Sequence, residues 1–252
     1  MMNEANEISR QTLLYGYIGE HAGASRISAV TNRLFKESAK DAMMIPMNIR
    51  EDDFYFTLSN MKNSQVSAAY IANEYIEKVP ELLDNASMLV KRSGACDLVF
   101  VENKTLRGEL ICVRAISEKL KDLRATKIAM IGVSPLAKAF SFLACGFNVS
   151  YFHDNLEELL AFSQELEIKE PDLNRIASGM EVDLNAFDAV LYFADFKECS
   201  MISALPKTVM DMNSQKHYSA MRIRAAELGA AYLGADEMIE ELSKTIYTIL
   251  TR

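Results

Sequence analysis

Apolar and polar positions follow a regular order in the second half of this chain. From Lys127 onward, short apolar runs alternate with segments that are amphipathic at helical spacing. The runs KIAMIGV, NVSYFHD, DAVLYFA, KTVMDM and AAYLG predict strands, and helices are predicted at 135–145, 155–167, 218–228 and 236–250. Strands that alternate with helices in this way predict a mostly parallel sheet.

The first half shows the same kinds of pattern in a less regular order. LLYGYIG, AMMIPMNI and QVSAAYI predict strands, and CDLVFVEN with GELICVRA predicts a strand pair. Ile27, Val30, Leu34 and Phe35 recur at helical spacing, with Ser25 as the expected N-cap. Further helices are predicted for DDFYFTLSNM, for residues 73–92 with a break at Pro80, and for AISEKLKDLR.

These patterns predict an α/β fold in two domains. The change of pattern places an N-terminal α/β domain at residues 1–117 and a Rossmann-like parallel-sheet domain at 118–252. We expect the last helix, at about 236–250, to pack back toward the N-terminal domain. A chain of 252 residues can bury a core of this size without a metal or a disulfide.

Composition narrows the classes of function. The net charge of −8 argues against a protein that binds the phosphate backbone of nucleic acids. No apolar run is long enough to span a membrane, and MMNEANEISRQ lacks the apolar core of a signal peptide, so we expect a cytoplasmic protein. The cysteines form no CxxC pair, which favours reduced thiols, and His21, His153 and His217 lack metal-ligand spacing.

The turn after KIAMI departs from the usual dinucleotide-binding fingerprint, G-x-G-x-x-G/A. Gly132 can make the tight turn, and Val133 follows it, but Ser134 replaces the second glycine. Ser134 followed by Pro135 is a strong helix start, with the serine as N-cap and the proline at the first helical position. The cap would use one amide that a phosphate needs, and Pro135 has none. The turn therefore predicts a Rossmann-like half with weak dinucleotide binding or none.

The next strand ends in YFHDN, close to the distance at which an acidic residue meets a ribose hydroxyl. Asp154 would repel a 2′-phosphate, so NAD is favoured over NADP. A solvated loop residue or a cap for the following helix is an equally good reading of Asp154. His153 would lie beside the same ribose, with a packing role as its alternative.

Three segments together resemble the shikimate/quinate dehydrogenase family. They are YGYIGEHAGASRISAVTNRLF, SGACDLVFVENKTLRGELI and MDMNSQKHYSAMRIRAAELGAAYLGADEM, in the order and spacing of that family. The resemblance implies a substrate-type N-terminal domain, a Rossmann-like domain and a cleft between them that binds a small molecule. It places His21, Ser25, Asn32, Asp97 and Cys112 at that cleft.

In the same alignment, most of the catalytic groups that the family uses are replaced by other residues in this chain. The positions of its general acid/base lysine and partner aspartate carry Ile76 and Cys112. Other polar positions of the family carry Ile27, Leu110, Ile111, Ala194 and Leu242, and the position of a family glycine carries Ala235. Because moving a hydroxyl proton needs a positioned base, we expect shikimate oxidation to be absent or very poor.

Two classes of function stay open on the sequence. One is an oxidoreductase that uses NAD on a less polar substrate. The other is a non-catalytic binding or interaction module whose cleft is filled by methionines, Tyr192 and Phe193. Cys112 as a nucleophile and His21 as an acid/base are weaker hypotheses than a buried strand cysteine and a loop histidine. A homodimer is compatible with the sequence.

Overall fold

A computed structural model describes residues 11–212 and 219–252 of the chain. The segment MMNEANEISR, His217 and the predicted helix start at residue 218 lie outside the described residues. The described residues form two compact units: residues 11–91, 96–111 and 239–252 in unit 1, and residues 92–95, 112–212 and 219–238 in unit 2. Its helices are too short or too polar to cross a membrane.

Unit 1 is built on a mixed sheet. Its strands and helices are β1 Leu13–Gly19, α1 Ile27–Glu37, β2 Ala42–Asn48, α2 Glu51–Asn60, β3 Val66–Ile71, β4 Asn85–Ala86, α3 Met88–Ser93 (which ends in unit 2), β5 Leu98–Glu102 and β6 Thr105–Glu109. The sheet order is β2-β1-β3-β5-β6-β4, with β5 antiparallel to both its neighbours. Pro46 lies on β2, which is an edge strand, where a missing N–H is tolerated.

Unit 2 is built on a parallel sheet. Its elements are α4 Cys112–Asp122, β7 Lys127–Ile131, α5 Pro135–Leu143, β8 Asn148–His153, α6 Leu156–Glu165, β9 Asp172–Arg175, β10 Val182–Asp183, β11 Ala189–Tyr192, β12 Ile202–Ala204, β13 Thr208–Asp211, α7 Ala220–Glu227 and β14 Ala231–Leu233. The last helix, α8 Ala235–Leu250, begins in unit 2 and continues into unit 1. The main sheet has the order β14-β13-β11-β7-β8-β9, and every pair is parallel.

Each unit has its own hydrophobic core. In unit 1 the core joins Tyr15, Phe35 and Leu98 with Ile246 of α8. In unit 2 it joins Ile131, Val190 and Val209 with Met221 of α7. The α/β fold with a Rossmann-like parallel sheet, predicted from the apolar runs, is therefore confirmed.

Two local predictions are wrong. Residues 73–92 do not form one helix: they contain two short 3₁₀ turns, strand β4 and the beginning of α3. Pro80 starts the second 3₁₀ turn, where its fixed φ angle and missing N–H are acceptable. Cys112 does not lie in a strand, because β6 ends at Glu109 and Cys112 is the first residue of α4.

Candidate functional site

The carboxyl edge of the unit 2 sheet is a topological switch point. Numbered along the chain, the six strands of this sheet have the order 3-2-1-4-5-6, so the connections after β7 and β11 leave in opposite directions. In open α/β sheets a ligand crevice forms outside the carboxyl ends of the strands at such a point. The residues after β7, β8, β9 and β11 therefore make up the candidate site of unit 2.

Gly132 follows β7 at this edge of the sheet and packs tightly against Ala194, two residues after the end of β11. Its φ angle is +99°, and a Cβ atom on it would lie 2.5 Å from the backbone nitrogen of Ala194. The Gly132 amide donates to the Phe152 carbonyl at 2.8 Å, which links the turn to β8. Only glycine fits this position, as the fingerprint's first glycine requires.

Ser134 caps α5 with its own side chain, as predicted from the sequence. The Ala137 amide donates to Ser134 Oγ at 3.1 Å, and the Lys138 amide donates to the Ser134 carbonyl at 2.9 Å. Pro135, at the first helical position, has no amide hydrogen. Of the four residues that begin α5, Leu136 is therefore the one whose amide remains to meet an anion.

Asp154 lines a pocket of about 450 Å³ that opens at the ends of β8, β9 and β11. The other charged residues of the pocket wall are Arg175, Asp195, Lys197 and Glu198. Arg175 ends β9 and pairs in register with His153, which ends β8, so Arg175 and Asp154 extend from neighbouring strands.

The uncharged lining residues come from the loops after β9 and β11: Ala177, Ser178, Phe196 and Met201. Three of these four are apolar, whereas five of the nine lining residues are charged. The pocket is therefore more polar than most small-molecule sites, and it favours a ligand with several polar groups.

His153 is held between two carboxylates. Its Nε2 lies 3.1 Å from Glu158 Oε2, and its Nδ1 lies 3.3 Å from Asp154 Oδ1. The contact with His153 lowers the pKa of the Glu158 carboxyl.

Asn155, not Asp154, caps α6, because Asn155 Oδ1 accepts the amides of Glu157 and Glu158. The reading of Asp154 as a helix cap is therefore wrong.

A buried carboxylate lies at the end of β13, and the sequence did not single it out. Asp211 is fully buried, and its Oδ2 accepts the hydroxyls of Tyr232, at 2.7 Å, and Ser219. Burial raises the pKa of the Tyr232 phenol, and the bond to Asp211 raises it further.

Tyr192 and Phe193, proposed as residues that fill a cleft, are buried in unit 2, and the Tyr192 hydroxyl accepts the Phe196 amide at 3.0 Å.

In unit 1, the structure brings some of the predicted cleft residues together through the backbone. The Cys96 amide donates to the Ile76 carbonyl at 2.9 Å, and the next residue, Asp97, accepts the Ile111 amide at 2.7 Å. Ile76 is only 3% exposed, and Asp97 is 1% exposed. At these two positions the resemblance expects a lysine and an asparagine that face a polar ligand. Unit 1 has instead Ile76, which is buried, and Asp97, whose carboxylate accepts a backbone amide.

The remaining predicted residues of unit 1 have separate surroundings. Ser25 lies near Tyr17; burial raises the pKa of the Tyr17 phenol, and Ser25 offsets part of the rise. Ser25 Oγ also accepts the Ile27 amide at 3.3 Å, close to the capping role predicted for it. Asn32 binds the backbone of Met44 in β2. His21 is exposed and precedes a 3₁₀ turn.

Comparison with known proteins points to one family. No family model matches the chain. A curated relative, the shikimate dehydrogenase (NADP⁺) of Dictyoglomus thermophilum, is 27% identical over 149 residues, which are 57% of this chain and 54% of the relative. The chain thus spans about half the length of the curated relatives that it matches.

Two solved structures share the fold over nearly the whole chain. A shikimate dehydrogenase in complex with NADP⁺ has a TM-score of 0.74 at 16% identity and covers 96% of this chain and 91% of its own. The shikimate 5-dehydrogenase of Listeria monocytogenes in complex with shikimate and NAD has a TM-score of 0.71 at 14% identity, with 97% and 93% covered. At these identities the likeness concerns the fold.

Proposed function

We propose that this chain, which belongs to the shikimate dehydrogenase family as a divergent member, is an oxidoreductase that binds NAD and acts on a substrate less polar than shikimate. The observation that carries the proposal is the tight glycine turn at Gly132, on a parallel sheet with the strand order 3-2-1-4-5-6. The buried Ile76, at the position of the family's general acid/base lysine, argues only that the substrate is not shikimate.

The unit 2 crevice supports the cofactor part of the proposal. Gly132 lets the turn approach β11, and the pocket beside Asp154 has room for an adenosine. Asp154 can accept hydrogen bonds from ribose hydroxyls, and the Leu136 amide faces the start of α5, where an anion is favoured. When bound, NAD would supply the hydride acceptor, a group that no side chain can replace.

The capped turn also predicts that cofactor binding is weak. A glycine in place of Ser134 would leave the Ala137 amide for a phosphate, whereas here Ser134 Oγ uses it. Hydrogen bonds to charged groups contribute about 1.5–3 kcal/mol each, so the loss of one corresponds to roughly ten- to a hundredfold in affinity. We therefore expect a dissociation constant above that of an enzyme with the full glycine fingerprint.

Substrate choice follows from what surrounds the family's reacting position. A site that recognises shikimate must satisfy several hydroxyls and a carboxylate, and each buried polar group left unpaired costs free energy. Ile76, Leu110 and Ile111 are all buried apolar residues, and the Asp97 carboxylate already accepts the Ile111 amide. These groups favour a ligand with fewer hydroxyls. Because they include no lysine, the proton released when such an alcohol gives up its hydride would have to pass to solvent water.

The second candidate is a non-catalytic small-molecule-binding or protein-interaction module on the same scaffold. The hydrogen bond from the Ile27 amide to Ser25 Oγ favours it, because the serine that the family uses for its substrate already has a partner within unit 1. This candidate predicts that neither NAD nor NADP binds.

Calorimetric titration separates the two candidates. NAD and NADP, each oxidised and reduced, are titrated into the purified protein, and shikimate, quinate and less polar alcohols are then tested by nicotinamide absorbance. Binding of NAD, together with turnover of a less polar alcohol and none of shikimate, is the expected result. No heat with any of the four nucleotides at millimolar concentration would overturn the cofactor proposal, and efficient turnover of shikimate would overturn the substrate proposal.

A further inference from the structure

The parallel strands of unit 1 form a switch point of their own. Strands β2, β1 and β3 lie side by side in that order and are parallel. The chain leaves β1 toward β2 on one side, whereas it leaves β3 toward β4 at the opposite edge of the sheet. A ligand crevice is therefore expected outside the carboxyl ends of β1 and β3. Glu20 follows β1 at this edge, and Ala72, Asn73 and Glu74 follow β3.

The carboxylate of Glu74 is fixed at these strand ends. Glu74 Oε1 accepts the Glu20 amide at 2.9 Å, which joins the segment after β3 to the segment after β1. A Cβ atom on Gly19, the last residue of β1, would lie 3.0 Å from the same oxygen and 2.8 Å from the Ala72 Cβ. The glycine therefore leaves the room that the carboxylate occupies. Glu74 is exposed, and a carboxylate has about four lone-pair sites, so one bond to an amide leaves it able to accept a proton.

Two hydroxyl groups lie near this carboxylate. Burial raises the pKa of the Tyr17 phenol, Ser25 offsets part of the rise, and the charge of Glu74 adds to it. The three side chains are therefore close enough to interact within unit 1. A phenol with a raised pKa stays protonated at neutral pH, so Tyr17 is a hydrogen-bond donor there. A donor beside a carboxylate can hold the oxygen of an alcohol while the carboxylate takes its proton.

The charges at this edge select against an acidic ligand. Burial raises the pKa of the Tyr75 phenol, and three negative charges raise it further, those of Glu20, Glu74 and Glu51. Lys78 pairs with Glu51, which leaves Glu20 and Glu74 as the carboxylates at the ends of β1 and β3. They would repel a ligand carboxylate such as that of shikimate, but not a neutral alcohol. This agrees with a substrate less polar than shikimate.

We propose that Glu74 is the catalytic base: its carboxylate takes the hydroxyl proton of the bound alcohol and passes it to solvent water. The inference rests on the proposed function and deepens it, because Ile76, Leu110 and Ile111 supply no proton acceptor. As the alcohol is oxidised, its C–H bond breaks and the hydride reduces NAD, the oxidant of the proposed function. Its O–H bond breaks and the proton goes to Glu74, so the carbon–oxygen bond becomes double and a carbonyl compound is released.

The first test uses Glu74→Gln, which keeps an oxygen that accepts the Glu20 amide but has no carboxylate to take a proton. Turnover of cyclic alcohols, cyclohexanol first, is followed with NAD by nicotinamide absorbance. Glu74→Gln should lower kcat about a hundredfold or more, the usual contribution of a positioned base, without changing NAD affinity or the midpoint of urea unfolding. Glu77→Gln is the matched control: Glu77 is an exposed carboxylate three residues farther along, and its loss should leave kcat unchanged.

Chemical rescue separates a base from a residue that only holds the loop. Glu74→Ala removes both the carboxylate and the bond to the Glu20 amide. Added formate, a small carboxylate, should restore part of the rate in Glu74→Ala and should have no effect on the wild type. Loss of activity that formate does not restore, in a variant that is folded by urea unfolding, would assign Glu74 to loop structure instead.

A binding series tests the same carboxylate without any cofactor. The probes are trans-4-aminocyclohexanol, cyclohexanol and trans-4-hydroxycyclohexanecarboxylate, which are a cation, a neutral alcohol and an anion with the same ring. Calorimetry on the wild type should show the tightest binding for the cation and the weakest for the anion. Glu74→Gln should reduce the ratio of cation to anion affinity about tenfold, the size expected for one nearby charge in partly solvated surroundings.

The outcomes distinguish this inference from the proposed function. Full turnover in Glu74→Gln, or the same affinity ratio in wild type and variant, would overturn the inference while the oxidoreductase proposal stands. No binding of NAD to the wild type would overturn the oxidoreductase proposal and the catalytic role of Glu74 together. In that case a changed ratio in the binding series would still place Glu74 beside a bound alcohol, and an unchanged ratio would remove that placement as well.

Discussion

At the scale of single residues, Gly132 decides whether the turn after β7 can form. Its backbone has a φ angle of +99°, and the space where a Cβ would stand is occupied by the backbone of Ala194. Gly146 has nearly the same angle, +95°, but a Cβ there would meet no atom within 4 Å. The two glycines therefore separate the cost of a left-handed backbone from the cost of a steric overlap.

Gly132→Ala should be far more destabilising than Gly146→Ala. We expect a loss of roughly 1 kcal/mol for Gly146→Ala, the usual cost of a left-handed alanine. Gly132→Ala should cost about 3 kcal/mol or more, because the backbone at Ala194 must also move. Urea unfolding of the two variants measures the difference. Equal losses would show that the contact with Ala194 can relax without cost.

Asp188 makes stability depend on pH. Its Oδ2 accepts the amides of Thr126 and Lys127, each at 2.8 Å, and the Thr126 hydroxyl at 2.9 Å. These bonds, led by that of the Lys127 amide, lower the pKa of the Asp188 carboxyl below its ordinary value. Since the folded pKa is the lower one, the carboxylate stabilises the fold above the unfolded pKa of about 4. That contribution is lost as the pH falls through the folded pKa.

Asp188→Asn should therefore be less stable than the wild type at pH 7, and the difference should shrink below a pH of about 4. Urea unfolding between neutral and acidic pH measures it. Asp122→Asn is the control, because Asp122 is exposed at the end of α4, and we expect it to have little effect at either pH. A difference for Asp188→Asn that is constant with pH would refute the linkage.

At the scale of elements, Asn32 joins α1 to the edge strand β2. Its Nδ2 donates to the Met44 carbonyl at 2.9 Å, and its Oδ1 accepts the Met44 amide at 2.7 Å. The side-chain amide thus satisfies both backbone groups of Met44, as a neighbouring strand would. The same contact shields part of an edge strand from pairing with another chain.

Asn32→Ala should destabilise unit 1 by about 2 kcal/mol, because it leaves two backbone groups of a buried residue without a partner. Asn60→Ala is the matched control: Asn60 Nδ2 makes one exposed hydrogen bond, to Phe56 O, and its loss should cost much less. Thermal unfolding of both variants checks this. If NAD affinity fell in Asn32→Ala while stability did not, the residue would belong to a ligand site instead.

The elements also show what local pattern can predict. Strands β7, β8, β11 and β13 are largely buried apolar runs, so their hydrophobicity identified them. Strand β9 has the sequence DLNR and is partly exposed, so it carries no such signal. For that reason the sequence did not predict Arg175 as a site residue, although it ends a strand at the edge of the sheet where the candidate ligand site lies. Lys197 lies in an irregular loop with no periodicity.

The segment 73–92 was mispredicted because its apolar residues happen to fall at helical spacing. Its backbone is instead held by tertiary contacts: the Tyr75 hydroxyl donates to the Ile49 carbonyl at 2.8 Å, and the Tyr75 ring stacks on Phe54 with ring centres 4.3 Å apart. Asp84 accepts the Leu106 amide at 2.7 Å. Such long-range contacts outweigh a weak local propensity for helix, and the periodicity of a sequence does not reveal them.

At the scale of the whole molecule, the two units are not consecutive stretches of the chain. Residues 239–252 are last in sequence, yet they belong to unit 1 with the first strand. Ile239 and Ile246 lie in the same core cluster as Tyr15 and Phe35, and the ring of Tyr247 lies 5.8 Å from that of Phe35. Arg33 of α1 forms an ion pair with Glu240 at 2.7 Å. The helix that ends the chain therefore completes the core of unit 1.

This arrangement predicts where a mutation at the end of the chain is felt. Ile246 is completely buried, so Ile246→Ala should cost roughly 2–5 kcal/mol through lost burial and the cavity left behind. Hydrogen exchange should show the loss as faster exchange in β1 and β3, which share this core, while the amides of β7 and β11 in unit 2 change less. Ile223→Ala, at a position 40% exposed on α7, is the control and should change neither set strongly. Equal acceleration in both units would mean that the two cores unfold together, and faster exchange confined to the last helix would mean that it is not needed for the core of unit 1.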